Sequence, residues 1–473
     1  MPSSLPVPGS RREVLLLAWP IGVSMISYTL KGVVDALMVG RLGVEALAGM
    51  GLATVLSFTV LAFAMGLLRG QKSLISQHRG AGDPARGLSF GAQAFYLAAL
   101  LGLGTLLLSQ AVPALFPRLP GTHDLSPEAR SMAASYLEVR LQWSLPYLLA
   151  LSLAEYYRAT ERTRLPMAAD LLAHPLNILF NWALIFGHLG LPRLGVRGAA
   201  LGTGLADSVS LALLLGLGAG LRHRTPAWAE LRPHWKRLRR VFEVGFALGF
   251  QFFLEVTAFS LATVFIAELG DIALAAHNAS IQILHFSFMP AVALGDAGSV
   301  LVGRSVGRRD WSAAERALRS VLQLTVPLMG GMGLVFLLAG APLQRLFLHH
   351  ADPGFEARAV TLGAGILAAG AVWQLADALQ IAYRFGLRAA GDHRWVMRTG
   401  ILCSWGLSVP LLYLAVHHWG MGPVEVWLLW SAELYLGALL FRRRWRSGVW
   451  REKRLVEEGP PPPQPPPPPV SAP

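Results

Sequence analysis

Charge is scarce in this sequence. Only 15% of its 473 residues are Asp, Glu, Lys or Arg, against about a quarter in soluble globular domains. That is too few ionic side chains to cover a surface facing water. There is one cysteine, Cys403, so no intramolecular disulfide can form. Acid is scarcer than base: 28 Asp and Glu stand against 41 Lys and Arg, a net charge of +13. The ten-residue alternation of barrel strands is missing, as are a glycine-rich phosphate loop and metal-ligand spacing among the 13 histidines. Pairs such as His349-His350 and His417-His418 sit at the ends of apolar runs. With no recognisable nucleophile or metal set, the expectation is a protein that is not an enzyme and carries no cofactor.

What the sequence has is hydrophobicity, 53% of all residues. Apolar stretches of about 20 residues recur along it, each able to cross ~30 Å of hydrocarbon as a helix. They predict an all-α membrane protein with twelve transmembrane helices, near 13–38, 46–68, 89–113, 130–157, 165–187, 197–221, 241–268, 273–300, 316–341, 357–388, 395–416 and 423–442. The first run follows Arg11 and Arg12 without a small-residue cleavage site, and reads as a retained helix. On this topology 32 of the 41 basic residues fall on one side and seven on the other, with Lys31 and Arg140 inside helices. Such a bias places both termini in the cytoplasm. It also disposes of nucleic acid as a partner, which would need the charge gathered on one folded surface.

The chain repeats itself. A shift of 227 residues lays Leu42-Gly43, Ala46-Leu47-Ala48, Gly80 and Asp83 on Leu269-Gly270, Ala273-Leu274-Ala275, Gly307 and Asp310. A shift of 230 pairs Trp143, Arg158, Ala159, Arg164 and Met167 with Trp373, Arg388, Ala389, Arg394 and Met397. Six spans per half is an even number, so the two six-helix lobes insert in the same orientation as a parallel repeat. The expected organisation is a cytoplasmic segment 1–12, an N-lobe 13–221, a basic linker 222–240, a C-lobe 241–445 and a tail 446–473. Ten of the last fifteen residues are proline, which predicts extended polyproline chain.

Ionisable groups within spans cost around 2.5–3.5 kcal/mol each on insertion scales, and so mark function. The deep ones are Lys31, Asp35, Asp207, Glu255 and Asp377. Glu138, Arg140 and Glu433 are expected nearer span ends. A carboxyl removed from water readily holds a proton or a cation, and apart from Lys31 no base stands near Asp35, Glu255 or Asp377 in sequence. Lys31, one turn before Asp35, is the expected counter-ion of that aspartate. Asn177 and Asn181 share a helix face beside Pro175 and offer oxygens suited to sodium. Trp373, one turn before Asp377, offers a cation–π face, or else packs in the core.

Several segments in order resemble the MATE (multidrug and toxic compound extrusion) transporters, most closely the NorM-like bacterial branch. They are Val34-Asp35-Ala36-Leu37-Met38-Val39-Gly40, Ser76-Gln77-His78-Arg79-Gly80-Ala81-Gly82-Asp83, Pro175-Leu176-Asn177 with Asn181-Trp182, and Gly195-Val196-Arg197-Gly198. Further along come Phe252-Phe253-Leu254-Glu255-Val256, Ala275-Ala276-His277-Asn278 and Gln374-Leu375-Ala376-Asp377-Ala378-Leu379-Gln380. The resemblance implies export of organic cations in exchange for H⁺ or Na⁺, from the bacterial inner membrane, by a monomer surrounded by lipid. By motif, Glu255 and Asp377 match the cation-coupling acids of the C-lobe, where Na⁺ would sit, and Asp35 matches the N-lobe aspartate. Lys31, His174 and Arg304 depart from the family's pattern. The alternative is a flippase of lipid-linked oligosaccharide from the wider superfamily, which would call for basic residues in the cleft.

Overall fold

The computed structural model describes residues 7–118, 122, 125–219, 228–348 and 352–456. The Pro-rich tail, His349-His350 and the first part of the linker lie outside them. The first half comprises α1 (Arg11–Gly40), α2 (Val44–Arg69) running on into α3 (Gln71–Gly80), α4 (Pro84–Leu115), α5 (Pro127–Gln142), α6 (Ser144–Ala159), α7 (Arg164–Phe186) and α8 (Val196–Ala219). The short α9 (Trp228–Leu231) precedes the second half: α10 (Trp235–Ala267), α11 (Asp271–Gly307), α12 (Trp311–Arg345), α13 (Pro353–Ala390), α14 (His393–Ile401), α15 (Val409–His417) and α16 (Pro423–Arg446). A π-helical stretch, Leu402–Ser408, joins α14 to α15.

Eleven helices among the described residues are long and apolar enough to span a membrane. The twelfth crossing, expected over 130–157, is broken into α5 and α6, 16 residues each, which meet at Trp143 (φ −95°, ψ 13°). Pro146 gives the reason: it has no N–H to return to the carbonyl of Gln142.

The duplication is written into the backbone. Gly43 and Gly270 enter α2 and α11 with φ of +125° and +105°. Asp83 and Asp310 cap α4 and α12 by accepting from Arg86 N at 3.0 Å and Ala313 N at 2.9 Å. Gly82 and Arg309 both adopt positive φ, as do Glu161 and Gly391. Each of these pairs obeys one of the two sequence shifts. The first helix of each half packs on the second helix of the other. Val14, Ala18 and Ile21 of α1 share a core with Ala293, Ala297 and Leu301 of α11. Likewise Val241 and Val244 of α10 share one with Leu61, Leu67 and Leu68 of α2.

Where the halves meet, equivalent residues face each other. A Cβ on Gly80 would lie 2.0 Å from the carbonyl oxygen of Arg304, and one on Gly307 would lie 2.0 Å from that of Gln77. Gln77 and Arg304 are themselves 227 residues apart, so α3 and the end of α11 cross on the axis relating the halves. Only glycine permits this approach.

The crossing buries charge. Lys72 Nζ reaches Glu155 of α6 at 2.7 Å and also Asp296 of α11, with side chains 8%, 1% and 7% exposed. Arg304 of α11 holds Glu161 at 3.0 Å and Glu13 of α1 at 2.6 Å. By sequence position both basic residues count as loop charges. They are buried because α2–α3 runs to Gly80 and α11 to Gly307, beyond the apolar runs that end near 68 and 300. Lys72→Met should therefore lower the thermal midpoint strongly, by the ~3–5 kcal/mol typical of breaking a buried pair. Lys72→Met with Asp296→Asn should recover much of that loss in the same melting assay.

Candidate functional site

In the first half, α1 and α7 bring their polar side chains together. Asn181 Nδ2 donates to Asp35 Oδ1 at 2.7 Å and to Asn177 Oδ1 at 3.3 Å. Asn177 in turn donates to Thr203 Oγ1 of α8 at 3.2 Å. Both asparagines are fully buried, and among the described residues Asn181 Oδ1 accepts no hydrogen bond. The shared face of Asn177 and Asn181 thus serves Asp35.

Lys31 does not. Its ammonium lies over the Tyr28 ring, 5.3 Å from the centroid, and forms no ion pair within 4.0 Å with Asp35 among the described residues. One turn of spacing puts the two residues on one helix face, and the π-face of Tyr28, three residues before Lys31, takes the amine. Next to it, Ser27 Oγ and His174 Nδ1 are hydrogen-bonded at 2.6 Å. Asp207 has a dedicated partner: Arg140 Nη1 at 2.9 Å, with side chains 17% and 10% exposed.

The second half carries the larger charge cluster. Glu255 of α10 receives Arg384 Nη2 of α13 on both carboxylate oxygens, at 2.8 and 2.7 Å. Gln251, one turn earlier, donates to Glu255 Oε1 at 2.8 Å. Arg388 Nη2 donates to Gln251 Oε1 at 2.8 Å, and Arg384 Nη1 to Gln380 Oε1 at 2.9 Å. Asp377 of α13 and Glu433 of α16 complete the cluster. They are 9% and 8% exposed, near enough to Arg384 to interact with it electrostatically, and neither makes a hydrogen bond or ion pair among the described residues.

Two expectations need correcting here. Glu255 has a base after all, since Arg384 follows Asp377 by seven residues, two turns along the same helix face. Its place near the end of an apolar run makes it look like a loop charge. Glu433, expected near a span end, is ten residues inside α16 and buried. Trp373 is partly buried and packs against the core, its ring 4.8 Å from Trp430 and 5.3 Å from Trp427. Further out, Trp427 Nε1 donates to His277 Nδ1 at 3.1 Å.

Comparison with known proteins places this arrangement. The MatE family pattern matches residues 20–183 and again residues 247–414. The chain belongs to the MatE family. It is 31% identical over 444 residues to a probable multidrug resistance protein NorM of Brucella suis, covering 91% of this chain and 92% of the relative. It is 30% identical over 448 residues to the corresponding Pseudomonas putida protein, covering 92% and 94%. Among solved structures, a MOP superfamily transporter from Pyrococcus furiosus superposes with a TM-score of 0.84 at 19% identity, over 93% of this chain and 96% of that one. An outward-facing multidrug resistance MATE family transporter gives the same score and coverage. The two stretches matched by the MatE pattern contain Asp35, Asn177, Asn181, Glu255, Asp377, Arg384 and Arg388, and leave Glu433 outside.

The Arg140–Asp207 pair lies apart from the C-terminal cluster and satisfies itself. Asp207→Asn should therefore lower the melting temperature by leaving Arg140 uncompensated, at a cost of ~3–5 kcal/mol. Arg140→Met with Asp207→Asn should melt nearer the parent protein.

Proposed function

We propose that this MatE-family membrane protein is a secondary antiporter, which exports organic cations from the cytoplasm in exchange for H⁺ or Na⁺ by alternating access. The observation that carries this reading is that Asp377 and Glu433, deep within α13 and α16, make no hydrogen bond or ion pair among the described residues. A buried carboxylate without a protein partner must hold a proton or a cation. Two such groups beside Glu255 give a place where a coupling ion and an organic cation exclude one another. Loaded from the cytoplasm in the unprotonated state, the site binds the organic cation. Loaded from outside with a proton or Na⁺, it releases it. In this scheme Asp35, held by Asn181 and Asn177, is the corresponding acid of the first half.

The two lobes, 13–221 and 241–445, supply the moving parts, and the Lys72 and Arg304 clusters close the end of the bundle where Gly9 and Arg454 lie. That end is cytoplasmic and the membrane is the bacterial inner membrane, a reading supported by the basic-residue bias. The multidrug resistance names of the relatives support the choice of amphipathic drugs as substrates. Arg384 and Arg388 are the residues that would meet an anionic lipid-linked sugar, the substrate of a flippase. Both already donate to protein oxygens, however, and the other charges of that cluster, Asp377 and Glu433, are acidic.

Asp377→Asn and Glu433→Gln keep volume and remove charge. Each should insert and fold normally, yet cut gradient-driven ethidium efflux from proteoliposomes by about tenfold or more, the effect of withdrawing ~1.4 kcal/mol. Efflux at the parent rate in both variants would sink the assignment. Reporter fusions after Arg12, Arg232 and Arg454 should all score as cytoplasmic, and an external signal from any of them would overturn the topology.

A further inference from the structure

Arg384 has the chemistry of the cargo and, unlike Arg388, sits directly on a carboxylate of the cluster. It is an organic monocation, tied to the chain by its own side chain. It sits on Glu255 with a single nitrogen, Nη2, shared between both carboxylate oxygens, while Nη1 turns to Gln380. That is not the two-nitrogen fork that makes arginine–carboxylate pairs strongest.

The pair is also open. The Arg384 and Glu255 side chains are 20% and 26% exposed, whereas Lys72 and Glu155 in the closed end are 8% and 1%. The self-satisfied Arg140–Asp207 pair, at 10% and 17%, lies between the two. Arg384 is moreover particular to its half. At the shift of 230 residues Arg388 has a counterpart in Arg158, but Arg384 falls on Ala154.

We propose that Arg384 is a tethered counter-cation, a specificity-determining residue that competes with cargo for the carboxyls and sets how much positive charge the site accepts. The inference rests on the antiport reading above. With all five groups ionised, Glu255, Asp377 and Glu433 bring three negative charges, and Arg384 and Arg388 bring two positive ones. One negative charge remains, which a single monovalent cation neutralises. Without Arg384 two remain, and the site suits a dication. Arg384 thereby selects monovalent organic cations and gives up Glu255 only to a cation able to displace a guanidinium.

Ethidium and propidium test this, since they share a ring system and differ by one quaternary ammonium on a side arm. Their binding to the full chain in nanodiscs can be followed by fluorescence polarisation. Wild type should prefer ethidium. Arg384→Met should tighten propidium on the order of tenfold, at the low end of what close charge pairs are worth, and should tighten ethidium less. Arg384→Lys, which restores the charge, should return the wild-type preference. In a Glu255→Gln background, where the competed-for charge is gone, Arg384→Met should tighten propidium far less. Should Arg384→Met not fold, Arg384→Gln serves for the same readings. Wild-type binding with an unchanged propidium preference in the folded variant would overturn the role of Arg384 and leave the antiport reading standing. Absence of dye binding by wild type and variant alike would overturn both.

Discussion

A charge carried into the interior of a membrane protein must be matched by a neighbouring side chain, a proton or a bound cation, because hydrocarbon offers no water to do it. That constraint sorts the ionic groups of this protein into two kinds. Lys72 with Glu155 and Asp296, Arg304 with Glu161 and Glu13, and Arg140 with Asp207 are matched from within. Asp377 and Glu433 are not. The Lys72 and Arg304 groups tie the two halves together at one end, Arg140 and Asp207 pair within the first half, and Asp377 and Glu433 lie deep in the second half.

The repeat explains why the tie lies where it does. Two copies of one helix end, Ser76–Gly80 and Gly303–Gly307, meet on the axis that relates the halves, and glycine at 80 and 307 lets the backbones touch. The same positions then carry different side chains, Gln77 in one copy and Arg304 in the other. Duplication supplied the symmetric contact, and divergence placed Arg304 within reach of Glu161 and Glu13. Glu161 adopts the left-handed backbone that its counterpart Gly391 takes freely, so the ion pair offsets a local strain of about 1 kcal/mol.

Much of this is legible in the amino-acid order alone. Apolar runs mark the helices. The two shifts in register locate the repeat through Gly, Asp, Arg and Trp, residues that hydrophobic patterning alone would not align. Asp377, Asn177 and Asn181 stand out as polar groups in apolar company. What periodicity cannot convey is partnership across helices. Arg384 and Glu255 are 129 residues apart, and Arg140 and Asp207 are 67 apart. Nothing local says that they touch. Span ends mislead for the same reason: Lys72, Arg304 and Arg384 lie at or past the ends of the apolar runs, but their helices continue and cross other helices there. Lys31 is the case in between: spacing along one helix brings it near Asp35, but its ammonium rests over the Tyr28 ring without an ion pair to that aspartate.

The central claim is that coupling ion and cargo compete for the same unmatched carboxyls. It is tested most directly by counting ions on binding. Purified protein in weakly buffered nanodiscs should release about one proton, or one Na⁺ when Na⁺ is the ion bound beforehand, for each ethidium taken up. Binding of ethidium with neither proton nor Na⁺ released would mean that the cation finds its counter-charge elsewhere, and would contradict the account.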